Sequence, residues 1–251
     1  MNNMEEPEEY DFMQGRRLNA IYLLPSAITL CALLAAFFSI TLAMKGYYEK
    51  SAMWIFISMI CDGMDGRVAR MTNSQSSFGE QLDSLADMVS FGVAPALVAY
   101  MWQLHQFGRI GYSVAFIFCA CAALRLALFN TLIGKVDKRW FIGVPSPTAA
   151  ALVAGLVWVH HGYERLPYIE YIALGITLFA GISMVVQIPF WSFKELGMQK
   201  TVPLFVLVLV IFLLLVLSWQ PSLILFCFFL IYSLSGYVMW IARRLRRRKR
   251  S

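Results

Sequence analysis

Eight stretches of this chain are apolar over about the length that a membrane helix requires, roughly 20 residues: 20–44, 50–71, 80–104, 109–132, 147–162, 167–189, 201–218 and 221–242. Runs of that kind leave little choice of fold. In hydrocarbon every backbone N–H and C=O has to be satisfied within its own segment, so each run is expected to be a helix and the helices to pack as a bundle. The expected class is all-α, a polytopic membrane helix bundle of eight spans. Composition agrees, with 59% of residues apolar and 14% charged, against the roughly 25% charged of a soluble domain. The fifth run, "PSPTAAALVAGLVWVH", is short and rich in small residues. That pattern predicts a helix packed among its neighbours instead of facing lipid.

The flanking segments set the sides. Arg16, Arg17, Arg67, Arg70, Lys135, Lys138, Arg139, Lys194, Lys200 and the run "RRLRRRKR" fall on one side of an eight-span bundle, and Lys45, Lys50, Arg109 and Arg165 on the other. Positively charged loops stay in the cytoplasm, so both termini are expected there, in a multi-pass protein of the inner membrane. The chain is expected to divide into an acidic tail (1–14), a transmembrane domain (15–242) and a basic tail (243–251). A basic cluster directly after a membrane helix suits anionic headgroups better than nucleic acid. The acidic start lacks the pattern of a cleaved signal peptide.

Cys31, Cys61, Cys119, Cys121 and Cys227 show no paired metal or redox spacing and are expected to be small core residues. His105, His160 and His161 fall in connections and are expected to be solvated.

Against this background one stretch is out of character. "CDGMDGRVARMTNSQSSFGEQLDSLADMVSFG", residues 61–92, carries Asp62, Asp65, Glu80, Asp83 and Asp87 beside apolar runs. At about 100° per residue, positions 62, 65, 66 and 69 share one arc of a helix, and 79, 83 and 87 form a row along another. Joined by the polar turn "MTNSQSS", two antiparallel helices then face four aspartates towards one another. So many like charges near hydrocarbon are costly unless a cation joins them. Carboxylate oxygens without Cys or His suit Mg²⁺ or Mn²⁺, as one ion or a pair, and not zinc. Gly63, Gly66, Ala69 and Gly79 leave room between the rows, and Arg70 offers a fork for phosphate. Metals with arginine imply a diphosphate substrate. Glu80 reads as ordinary helix-end charge.

The spacing Asp62-x2-Asp65-Gly66-x2-Ala69-Arg70-x8-Gly79-x3-Asp83-x3-Asp87 resembles the signature of the CDP-alcohol phosphotransferase family at all eight of its fixed positions. Three further segments, "LDSLADMVSFGVAPALVAY", "LRLALFNT" and "KRWFIGVPSPTAAALVAG", resemble the membrane-embedded phosphatidylserine synthases of that family. The likeness spans residues 15–165 and is faint beyond. Leu128 stands where that branch usually has a second arginine, and Ser26 where the family commonly has asparagine.

The resemblance implies a helix-bundle enzyme, homodimeric, that moves the phosphatidyl group of CDP-diacylglycerol to L-serine with release of CMP. It implies Asp62, Asp65, Asp83 and Asp87 as ligands of one or two metal ions, Asp87 also serving as general base. CDP-diacylglycerol would lie against Gly63, Gly66, Ala69, Arg70, Gly79 and Thr29. Serine would be met by Arg125, an intramembrane cation, with Asn130 and Lys135. No Ser-His or Cys-His pair sits near the site, so direct displacement is expected over a covalent intermediate. Glycerol 3-phosphate or inositol phosphate as acceptor would call for more cations than this region supplies. A divalent-cation transporter would show broken mid-membrane helices and repeated halves, neither of which the sequence contains.

Overall fold

A computed structural model describes residues 20–132, 140–162, 168–186, 189–191 and 219–248. The expected helix at 201–218, the acidic tail and Lys135 lie outside these residues.

Seven of the eight apolar runs are helical: α1 (Ala20–Met44), α2 (Tyr48–Met71), a composite third run, α5 (Arg109–Leu132), α6 (Ser146–Gly162), α7 (Ile169–Val185) and α8 (Pro221–Arg248). The third run is α3 (Ser77–Asp87), a π-helical turn at Met88–Val93, then α4 (Ala94–Trp102). Leu23–Met44, Ser77–Trp102, Arg109–Thr131 and Pro221–Ile241 are long and apolar enough to cross a membrane. The architecture is the expected helix bundle, with one short ribbon in which Trp140–Ile142 (β1) pairs antiparallel with Pro189–Trp191 (β2). At the basic end α8 runs on to Arg248; leucine and arginine favour helix, and no Gly or Pro stops it.

The α1–α2 pair forms one wall. Ala32, Ala35, Ala36 and Ala43 are buried along α1, and Ser51, Ala52 and Ser58 along α2, so the backbones approach closely and hydroxyls bridge them. Ser39 Oγ donates to Ser51 O (2.9 Å), Ser51 Oγ returns a bond to Ser39 O (2.8 Å), and Ser58 Oγ donates to Ala32 O (2.8 Å). A third rung, nearer the aspartates, joins Thr29 to Asp65.

The π turn has a local cause. Pro95 has no N–H to offer Phe91, and its ring would press on the carbonyl one turn back. The chain widens instead, with Ala94 N donating to Val89 O. The run thus continues to Trp102 while α3 and α4 keep separate facings. Its start is set by Ser76, whose hydroxyl accepts from Gly79 N at 3.0 Å and caps α3.

At the centre stands α6, as its small residues predicted. Ala149 through Ala154 are all buried, and the helix packs on α2, α4, α7 and α8. Gly155 meets the Phe226 backbone, where a Cβ would lie 3.2 Å from Cα.

His105 and His161 are exposed as expected, whereas His160 and the cysteines differ from expectation. All five thiols are free; Cys31 is exposed and the others half-buried, with Cys119 and Cys121 packed against the core and none fully inside it. Thiols are apolar enough to face hydrocarbon as readily as protein. His160 is half-buried against the Trp102 ring (centroids 5.3 Å apart), and His161 Nε2 lies 3.3 Å from Glu49 Oε2. Both occupy the last turn of α6, at the end of the bundle away from the aspartates.

Candidate active site

Two features share one end of the bundle: a group of carboxylates and a cleft. Asp62 comes from α2, Asp83 and Asp87 from α3, and one carboxylate oxygen from each lies within 4.8 Å of the others. Asp62 and Asp87 touch as hydrogen-bonding partners. Two facing carboxylates repel unless a proton or a cation lies between them. Asp83 Oδ1 is buried and has no hydrogen-bond partner, an arrangement that water-excluded acceptors rarely tolerate. Three hard oxygen donors, one of them orphaned, fit a divalent cation of the Mg²⁺ or Mn²⁺ kind. Asp65, the fourth aspartate, stands apart from the trio. It is 5% exposed, and its Oδ2 accepts from Thr29 Oγ1 at 2.7 Å.

The cleft, about 210 Å³, opens beside this group. Pro25, Ser26 and Thr29 of α1 form one wall, and Asp65, Gly66, Ala69 and Arg70 of α2 another. Ser74, Gln75 and Ser76 of the polar turn and Gly79, Glu80 and Asp83 of α3 close it. Asp83 therefore belongs to both cleft and carboxylate trio. Asn73, at φ 51°, turns the chain between the helices. A Cβ on Gly66 would come no closer than 4.0 Å to any atom, that atom being Arg70 Nη2. The absent side chain therefore leaves space instead of admitting a neighbouring helix.

Of the six residues expected against CDP-diacylglycerol, five line this cleft: Thr29, Gly66, Ala69, Arg70 and Gly79. Gly63 does not. It is exposed, and nothing lies within 4 Å of a Cβ built there, because one residue past Asp62 is about 100° round the helix. Glu80, expected to be incidental, is part of the wall.

The acceptor residues are divided. Arg125, on α5, donates through Nη1 to Ser146 Oγ at 2.8 Å, while its Nε is buried without a partner. Its charge interacts with that of Asp87. Ser146 is 1% exposed and opens α6. The preceding residues are fixed in turn: Val144 N donates to Ser183 O at 2.9 Å, and Ser183 Oγ lies 2.7 Å from Tyr237 Oη. Asn130 is drawn elsewhere. Its Nδ2 donates to Ser84 Oγ at 3.0 Å, which joins α5 to α3.

Sequence reasoning missed Ser146 and Ser84 as partners of Arg125 and Asn130. Ser146 was marked only as part of the segment "KRWFIGVPSPTAAALVAG". Ser74, Gln75 and Ser76 gave a signal as the polar turn but no hint that they form a wall.

Comparison with known proteins agrees with this geometry. Residues 22–190 match the family described as CDP-alcohol phosphatidyltransferase. The chain is 40% identical over 226 residues to a CDP-diacylglycerol–serine O-phosphatidyltransferase of Helicobacter pylori, covering 89% of this chain and 93% of that one. An enzyme of the same name from Saccharomyces cerevisiae is 34% identical over 184 residues, covering 64% and 62%. Among solved structures, Mycobacterium tuberculosis phosphatidylinositol phosphate synthase with CDP-DAG bound superposes with a TM-score of 0.53 at 17% identity, covering 64% of this chain and 81% of that one. Such low identity speaks for the fold alone. The matched segment takes in both the aspartates and the cleft, and the chain belongs to the CDP-alcohol phosphatidyltransferase family.

Proposed function

We propose that this protein transfers the phosphatidyl group of CDP-diacylglycerol to L-serine, giving phosphatidylserine and CMP, at the cytoplasmic face of the inner membrane. The observation that carries the reading is the meeting of Asp62, Asp83 and Asp87 next to a cleft walled by Gly66, Ala69, Arg70 and Gly79. The serine assignment is supported by relatives of that name, one aligned over nearly its whole length.

In this reading the diphosphate enters the cleft past Gly66 and Gly79, with Arg70 at its rim and the acyl chains between helices. Asp62, Asp65, Asp83 and Asp87 would hold one or two Mg²⁺ or Mn²⁺ ions, which when bound neutralise the diphosphate and the charge on departing CMP. Arg125 meets the serine carboxylate, directing the hydroxyl towards Asp87. The serine oxygen attacks the β-phosphorus, its proton passes to the Asp87 carboxylate, and the bond from β-phosphorus to the bridging oxygen breaks, so that oxygen leaves with CMP. No histidine or cysteine stands in the cleft lining, which favours one displacement over a covalent intermediate. The site being on cytoplasmic ends of helices rests on the distribution of Lys and Arg, and a homodimer on likeness to the family.

The test is CMP release by purified protein with CDP-diacylglycerol and Mn²⁺, offering serine, glycerol 3-phosphate or inositol phosphate in turn. Serine alone should support turnover, and Asp83→Asn should lower it by at least about 100-fold, the scale of a lost electrostatic contribution to a transition state. Turnover with a phosphorylated acceptor and none with serine would overturn the acceptor assignment. Unchanged turnover in Asp83→Asn would overturn the site.

A further inference from the structure

The hydroxyl of Thr29 points at a carboxylate and not into the cleft it lines. Thr29 is 4% exposed and Asp65 5%. Its Oγ1 lies 2.7 Å from Asp65 Oδ2 and 3.1 Å from Pro25 O. A threonine hydroxyl has one proton to give. The nearer acceptor, which is also the charged one, takes it.

From this we infer that Thr29 is a positioning residue for Asp65 and not a contact for nucleotide. By holding Oδ2 it fixes the rotation of the carboxylate and leaves Oδ1 as the oxygen for a divalent cation. Of the four aspartates, Asp65 is the one outside the trio, so its orientation needs a separate anchor. The hydroxyl is not needed to hold α1 against α2, because Ser39, Ser51 and Ser58 bridge the same helices further along. Removing it is then a local change. The inference rests on the proposed metal role of the aspartates.

Mn²⁺ titration of the purified protein without nucleotide, read from the electron paramagnetic resonance of free Mn²⁺, separates the two ideas. Thr29→Val should weaken Mn²⁺ binding about tenfold, the scale of a lost hydrogen bond to a charged group. Thr29→Ser should restore binding to within about threefold, while unfolding temperatures without metal stay together. Thr29→Ala replaces the valine variant where the second methyl packs badly. In an Asp65→Asn background, Thr29→Val should add nothing, because the residue acts through that carboxylate. Normal Mn²⁺ binding in Thr29→Val with a raised KM for CDP-diacylglycerol would overturn the inference and return Thr29 to the substrate. No saturable Mn²⁺ binding by the unaltered protein would overturn the metal assignment, and this inference with it.

Discussion

Arg125 is held by one nitrogen and leaves another buried without a partner. That arrangement fits a guanidinium kept for a ligand, with Ser146 fixing its direction. Arg125→Lys preserves the charge and loses the planar fork. It should raise KM for serine by about 10- to 100-fold, as expected for a charge-assisted pair, and leave KM for CDP-diacylglycerol within about threefold. Steady-state CMP release with each substrate varied in turn checks this; a change confined to the nucleotide would place Arg125 on the donor side. The aspartates were legible because their spacing of three or four residues puts each pair on one face of its own helix, α2 or α3. The partners of Arg125 and Asn130 were not, since they lie 21 and 46 residues away, and nothing periodic links serines so far apart.

At the scale of elements, the approach to α6 is the most constrained segment. Gly143 sits at φ 78°, and a Cβ there would run into the Met184 carbonyl oxygen at the end of α7. Gly143→Ala should cost on the order of 2–4 kcal/mol from left-handed strain and overpacking together. Thermal unfolding in detergent should then fall by about 5–10 °C. Serine turnover should drop at temperatures where the variant remains folded, because Val144 and Ser146 follow directly. The helices themselves were readable from the apolar runs. Their internal breaks were less so: Pro95 announces a disturbance in the third run, but whether a helix kinks or widens at proline depends on what packs against it. The ribbon of β1 and β2 was invisible, since three residues a side carry no pattern and its strands are far apart in the chain.

For the whole molecule, the two ends differ in chemistry. One gathers the aspartates, the cleft, Arg125 and Ser146. The other has the Glu49–His161 contact and the tilted Trp102–His160 ring pair. If the charge distribution sets the orientation, Gln75→Cys in an otherwise cysteine-free protein should react with a membrane-impermeant maleimide only from the cytoplasmic side. Gly46→Cys should react only from the opposite side. Labelling with the sides reversed would invert the topology. Finally, α6 hides nearly all of its surface among other helices, yet it begins only at Ser146. Ribosomes deliver Asp62 to Asp87 first and the residue that steadies Arg125 some sixty positions later. The acidic half of the centre is therefore in the bilayer before its basic half is braced, and catalytic competence should arrive late in biogenesis, when the middle of the bundle is filled.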